Sequence, residues 1–241
     1  MPVENHVLPV DFRPAHPQAV DEGEILALHS GRSADGLDFE HTRAPMDEIV
    51  LRSMLKWPDV PAVYGWLSLD RRGSWMIKTV AGRFERIAHS AVREFIGRNY
   101  APDSEGRWYF QNGPQRVFVA LDYTPWVYSL ADTGQGLLAH TGAVPRALEA
   151  VFLDDAGALL LKTEIGIGVL LDRDLSAFLE RLTDVRGRAL ERLLEEVAQG
   201  AEAQAMLQGK NVPIAPIRSA AVPGRFGFVA RPAPRAGEPE C

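Results

Sequence analysis

Acid–base chemistry at neutral pH is most readily supplied by imidazole, and the sequence distributes its six histidines unevenly. His6, His16, His29 and His41 fall in the first 44 residues, ten to thirteen positions apart. A compact metal site draws ligands from closer spacing, so these four predict no metal centre. His89 stands just before "SAVREFIGRNY". With a carboxylate beside it, it would serve as the acid–base group of a hydrolase-like site; the simpler reading is a solvent-exposed histidine at a helix entry. His140, in "LLAHTG", has no evident partner in the sequence.

Carboxylates occur in pairs at Asp154–Asp155, Asp172/Asp174 and Glu195–Glu196. Adjacent side chains in a strand or turn diverge, so Asp154 and Asp155 are not placed to share a proton or a metal. There is no G-x-S-x-G elbow and no internal cysteine to act as a nucleophile. "GIG" at 166–168 lacks the third glycine of a dinucleotide loop, and no GK[ST] occurs, so no nucleotide cofactor is indicated. A hairpin turn accounts for "GIG". No catalytic residue is assigned.

Binding chemistry is better represented. "GRWYFQNGPQRVFVALDYTPW" (106–126) holds six aromatic residues, and the window 65–121 carries nine Lys and Arg against five Asp and Glu. Arg71, Lys78, Arg86, Arg98 and Arg116, together with Trp108, Tyr109 and Trp126, form the candidate ligand-binding set. Cations beside exposed aromatic faces suit a planar or anionic ligand, or single-stranded nucleic acid. A solvated polar face over a Trp-rich core is the plainer alternative.

The chain as a whole is acidic, with net charge −6 over 241 residues, which argues against wholesale wrapping of nucleic acid. Apolar residues at 46% and charged residues at 24% are ordinary for a globular protein with a real core. One cysteine, Cys241, excludes an intrachain disulfide and fits a reducing cytoplasm. The N-terminal stretch lacks the basic and apolar regions of a secretory signal, and no apolar run is long enough to cross a bilayer. A cytoplasmic location is expected.

Hydrophobic periodicity indicates which elements carry these residues. "PMDEIVLRSMLKWP" reads as a helix with Met46, Ile49, Val50 and Trp57 facing inward. "YGWLSLD" and "SWMIKTV" alternate around "RRG" as a hairpin that puts Trp75 and Ile77 on one face. A short helix follows, capped by Ser90, with Val92, Phe95 and Ile96 inward. A second hairpin joins "RWYFQ" to "QRVFVAL" through Asn112–Gly113, with Pro114 marking an edge or bulge. In the return strand Val117, Val119 and Leu121 share one face and Arg116 and Phe118 the other. In the outgoing strand Trp108 and Phe110 oppose Tyr109 and Gln111, so alternation puts about half the aromatics into a core and leaves the rest on the second face. "DVRGRALERLLEEVAQGAEAQAML" reads as one long amphipathic helix, striped by Leu190, Leu193, Leu194, Val197 and Ala201. From Asn211 onward, Pro and Gly predict a loose tail in which "RFGFVA" adds at most a short strand.

Two segments repeat. "LDRRGSWMIKT" (69–79) and "LDDAGALLLKT" (153–163) share five of eleven residues without a gap. Asp-x-x-Gly is a common turn, which explains the Asp and Gly alone. The shared Lys-Thr and the matching helix positions, Phe95 with Phe178 and Ile96 with Leu179, point to an internal duplication.

The order "DRRGSW … RIAHSAVREFIGRNY … DSEGRWYFQNGPQRVFVALDYTPWV" resembles the bacterial family catalogued as domain of unknown function 1285, well over 67–130 and loosely over 150–182. The resemblance implies two small two-layer α/β units with a repeated motif and a role in signalling or ligand sensing. It supplies no catalytic residues. The expected architecture is therefore α+β: two related units of antiparallel hairpins packed on a helix, plus a C-terminal amphipathic helix. The divisions are an arm (1–44), a first unit (45–130), a second unit with the long helix (131–209) and a tail (210–241). The expected function is non-enzymatic binding of a small anionic ligand or a protein partner, with no cofactor and no membrane.

Overall fold

Alternation and turn chemistry between residues 63 and 121 produce a sheet whose order is not the order of the chain. The computed structural model describes residues 46–57, 60–131 and 136–235; the N-terminal arm with its four histidines, and Cys241, lie outside the described residues. Helix α1 (Glu48–Lys56) comes first. Strands β1 (Val63–Leu69), β2 (Trp75–Lys78) and β3 (Phe84–Arg86) form an antiparallel meander. The β1–β2 turn closes because Asp70 Oδ1 accepts the N–H groups of Arg72 and Ser74, at 2.9 and 2.7 Å, while Gly73 takes φ 78°.

Helix α2 (Ser90–Arg98) then leads to β4 (Tyr100–Pro102), β5 (Trp108–Asn112) and β6 (Gln115–Leu121). The six strands lie in the order β3-β2-β1-β6-β5-β4, and β1 pairs with β6 in parallel. The hairpins are antiparallel as expected, and this central parallel joint is what alternation alone did not indicate.

The second sheet has eight strands. β7 (Trp126–Leu130) and β8 (Leu137–Ala139) form its edge, followed in the chain by β9 (Leu148–Asp154), β10 (Leu159–Thr163) and β11 (Gly166–Leu170). Helix α3 (Leu175–Leu179), β12 (Leu182–Asp184), α4 (Leu190–Ala198), β13 (Ala203–Leu207) and β14 (Lys210–Ile217) complete it. Read from β11 to β12, its order is β11-β10-β9-β14-β13-β12, with β9 and β14 parallel. That is the order, and the single parallel joint, of the first sheet. Registers recur too: Leu69 opposite Trp75 is matched by Leu153 opposite Leu159. β7 joins this sheet, parallel to β11, and not the six-stranded one. The fold is thus mixed α+β, dominated by strands.

The two sheets share a core. Leu67, Trp75, Phe110 and Val119 of the first meet Phe152, Leu160, Ile167 and Val169 of the second in one buried cluster. The opposite side of the eight-stranded sheet is covered by Phe178, Leu193 and Val197 from α3 and α4.

Several local expectations need correction. Helix α4 spans nine residues rather than the whole of 184–207, because an Asp184-x-x-Gly187 turn precedes it and Gly200, at φ 104°, follows it. The residues after Gly200 become β13. The supposed tail holds β14, an interior strand despite Pro213 and Pro216, because Val212 and Ile214 bury in the core. It also holds α5 (Val222–Phe226), after which Leu121 N–H bonds to Ala230 O. The β5–β6 turn is centred on Gly113–Pro114, one residue later than expected, so Pro114 interrupts no strand. His89, not Ser90, occupies the N-cap of α2, and it makes no side-chain cap bond. On α1, Ile49 and Trp57 are each 44% exposed; Val50 and Ser53 supply the buried positions.

Candidate functional site

The aromatic residues that sequence density singled out converge from both sheets. Trp108 on β5 lies 4.6 Å from Tyr100 on β4 and 5.5 Å from Trp126 on β7, ring centre to ring centre. His140, just past β8, touches Trp75, Tyr100 and Trp126 at 5.1 to 5.8 Å. Each ring is delivered by a strand end or turn, which is why residues 8 to 65 positions apart meet at the seam.

β11 makes room for them. Gly168 lies opposite Trp126 in the parallel register, and a Cβ there would sit 2.4 Å from the Tyr128 ring. A Cβ on Gly166 would sit 2.6 Å from Trp126 Nε1. "GIG" is therefore neither a phosphate loop nor the expected hairpin turn, which falls at 164–165: it opens strand β11, and its two glycines are the floor on which the β7 aromatic rings rest. Thr124 fixes the approach, donating to Trp126 O and accepting from Val169 N, at 2.7 and 2.9 Å.

Polar atoms in this cluster are tuned by burial. The Tyr100 hydroxyl donates to Pro125 O at 3.1 Å, and burial holds its pKa well above the usual phenol range. His140 Nδ1 accepts the Val127 N–H at 3.3 Å, which assigns the ring proton to Nε2. The residue keeps a little surface, but its ring is enclosed by aromatic neighbours, and burial pushes its pKa down to about 3. It is a neutral imidazole at physiological pH. Two buried donors here, Trp126 Nε1 and His140 Nε2, have no hydrogen-bond partner among the described residues.

Against this cluster lies a groove of about 580 Å³, lined by Tyr100, Trp108 and Trp126, by Ile165 and Ile167 flanking Gly166, and by Phe228 beyond α5. Charges on its rim are compensated by the protein. Asp103 accepts from Arg107 Nε at 2.7 Å, and although burial opposes ionisation, these bonds hold its carboxyl below the usual range. Lys162 Nζ lies 3.2 Å from Glu149 and donates to Thr163 O. Glu164 accepts the Arg146 and Ala147 N–H groups, which outweigh burial and likewise lower its pKa. The groove offers a ligand shape and aromatic contact. Among the described residues, its lining pairs no nucleophile with a base.

Of the sequence-predicted set, the structure brings Trp108 and Trp126 together here. Tyr109 lies on the other face of the six-stranded sheet, where it and Phe118 are each 3% exposed beneath Met46, Ala62 and Tyr64. Arg116 stacks on Tyr109 at 4.8 Å, and Arg107 on Phe118 at 4.7 Å. The expected open aromatic face is thus covered. Arg71 lies over Tyr123 at 4.4 Å, and Arg98 pairs with Asp47 at 3.1 Å. Lys78 and Arg86 stand on the outer side of the β2–β3 hairpin, at register positions that place them beside Phe84 and Met76. The five cations do not gather round one point. His89 is exposed at the start of α2, with no carboxylate bonded to it among the described residues.

Tyr100, Gly166 and Phe228 were missed in the sequence. Strand alternation had no way to show that a seam between sheets, and not a sheet face, would form the groove. The Gly-x-Gly spacing within a strand pattern was the available signal.

A family model matches residues 46–233, which include every strand and helix described above. The chain belongs to that family, DUF2944, whose description reads "Protein of unknown function (DUF2946)". The DUF2944 match takes in both sheets and all the walls of the groove. The chain is also distantly similar to a solved structure, a DUF1285 family protein from Silicibacter pomeroyi DSS-3. The two share 16% identity over 64% of this chain and 81% of that one, with a TM-score of 0.42. No curated protein matches. Among the described residues, no helix is long and apolar enough to cross a membrane.

Proposed function

We propose that the protein is a non-enzymatic binding module of two related α+β units, and that the groove at their seam holds a small, largely apolar ligand. The first unit comprises β1–β6 with α2. The second comprises β9–β14 with α3, and α4 is an insertion between β12 and β13. Support for the duplication comes from the shared strand order and the matching registers. The segment 210–217, first assigned to a tail, then belongs to the second unit. A ligand at such a seam touches both sheets at once, which suits a sensing or signalling role, in the cytoplasm if the single cysteine is a guide.

The observation that carries this reading is the aromatic wall of Tyr100, Trp108 and Trp126 along a groove of about 580 Å³. That volume falls within the range of ordinary small-molecule sites, and such sites are mostly apolar with few polar groups. An anionic ligand, expected from the local charge, is less well supported. Lys162 is the groove's cation, and it is already paired with Glu149.

Titration with anilinonaphthalene sulfonate, followed by tryptophan fluorescence, tests the groove. Saturable binding is expected to perturb tryptophan emission and to be abolished by Ile165→Trp, which fills the space, but not by Arg71→Ala. Binding indifferent to Ile165→Trp would place the site elsewhere.

A further inference from the structure

The groove's walls are not all alike in chemistry. Trp126 and Gly166 both line it, and the 2.6 Å separation of a Gly166 Cβ position from Trp126 Nε1 puts the indole nitrogen against the Gly166 wall. That nitrogen is buried and has no partner among the described residues. Buried N–H groups are paired in the great majority of cases, and leaving one unpaired costs on the order of 1–3 kcal/mol. The rim charges, by contrast, all have protein partners.

Ring geometry adds a shape. Tyr100 and Trp108 are inclined by only 36° to each other, whereas Trp126 stands at 78° and 83° to them. Two nearly perpendicular aromatic planes make a corner in which a flat ring stacks on one wall and meets the other edge-on, the arrangement that ring quadrupoles favour.

We infer that the groove takes a neutral, planar heteroaromatic ligand whose ring nitrogen or ring carbonyl accepts the Trp126 indole N–H. This rests on the groove being the ligand site. A charged ligand is disfavoured because, among the described residues, no uncompensated ion faces it. A pure hydrocarbon would leave the buried Trp126 donor beside the groove still unmet.

Quinoline and naphthalene have the same shape and differ in one acceptor atom, so they separate the two ideas. Their binding is measured by calorimetry or fluorescence, and the Trp126 indole N–H resonance is followed in ¹H–¹⁵N spectra, assigned by its loss in Trp126→Phe. Quinoline is expected to bind the native protein about tenfold more tightly than naphthalene, the worth of roughly one hydrogen bond. It should shift the Trp126 N–H resonance downfield, and Trp126→Phe should erase its advantage. Equal binding of both probes with an unmoved resonance overturns the donor role and leaves the groove standing. If neither probe binds, the groove reading falls and this inference with it. The resonance is read on the native chain, so the result does not depend on the variant folding.

Discussion

Tyr123 donates its hydroxyl hydrogen to Asp154 Oδ2 at 2.6 Å, joining the loop after β6 to the β9–β10 turn. Asp154 is the counterpart of Asp70 in the repeated motif, and its other oxygen accepts the N–H groups of Ala156 and Ala158. Arg71, from the Asp70 turn, lies over the Tyr123 ring. The two repeated turns therefore meet through one tyrosine. Burial first, and then the Asp154 carboxylate, hold the Tyr123 hydroxyl protonated far above neutral pH, so the bond persists across the physiological range.

Tyr123→Phe removes the link and leaves the ring under Arg71. A loss of about 1.5–3 kcal/mol is expected from urea unfolding, the range for a hydrogen bond to a charged acceptor. Asp154→Ala should cost more, since it also unties the turn, and the double variant should cost less than the sum. Strict additivity would show that the tyrosine does not act through Asp154.

His140 predicts a specific acid sensitivity. Its pKa is about 3 in the folded protein and near 6.5 when unfolded. Between those values the unfolded chain binds a proton that the folded one refuses. Stability is thus complete above about pH 6.5 and declines as pH falls toward 3. Asp103, Glu164 and Asp184, whose carboxyl pKa values are lowered by their partners, add losses only at lower pH. The urea midpoint should fall between pH 6.5 and 5 in the native protein and stay nearly flat in His140→Phe. An equal slope in both proteins would clear His140 of the effect.

Gly168→Ala tests the floor beneath the aromatic rings. Its φ is not in the left-handed region, so the cost is steric: the new methyl would lie 2.4 Å from Tyr128 Cε2 and 2.9 Å from Trp126 Cβ. Tyr128 is held by Thr163 Oγ1 and Gly166 O, so it has little freedom to yield. A loss of about 2–3 kcal/mol is expected, with a change in tryptophan emission as Trp126 moves. Unchanged emission and stability would mean the seam is looser than its geometry.

How much of this was legible beforehand follows from which forces act locally. Turn chemistry at Asp70 and Asp154, and the shared face of Val117, Val119 and Leu121, are set by neighbours in the chain, and both agree with the structure. β14 was not legible, because Pro213 and Pro216 signal a loose segment, and only the cover given by β9 and β13 overrides them. The length of α4 was misjudged for the converse reason: helical spacing continued past Gly200 on paper, but pairing with β12 and β14 claims Ala203–Leu207. Half of the groove was visible as aromatic density at Trp108 and Trp126. The rest depends on a strand exchange, with β7 leaving the first sheet for β11, that no local pattern encodes.

The C-terminal segment supplies the last prediction. Gly106 closes the Asp103 turn, and a Cβ on it would lie 2.0 Å from Gly227 O, a backbone atom with no easy retreat. The same turn accepts Val229 N–H at Gly106 O, and farther along Leu121 N–H reaches Ala230 O. Gly106→Ala should therefore lift residues 227–230 from the first sheet, uncovering Val222 and Phe228 and opening the groove at that end. Gly82→Ala is the matched control: its φ of 78° is close to the 76° of Gly106, but nothing lies within 4 Å of the new methyl. Both variants bear the backbone cost of positive φ, on the order of 1–2 kcal/mol. Only Gly106→Ala should add a further loss and speed tryptic cleavage at Arg225, which precedes Phe226. Equal behaviour of the two would show that the segment is not held by this contact.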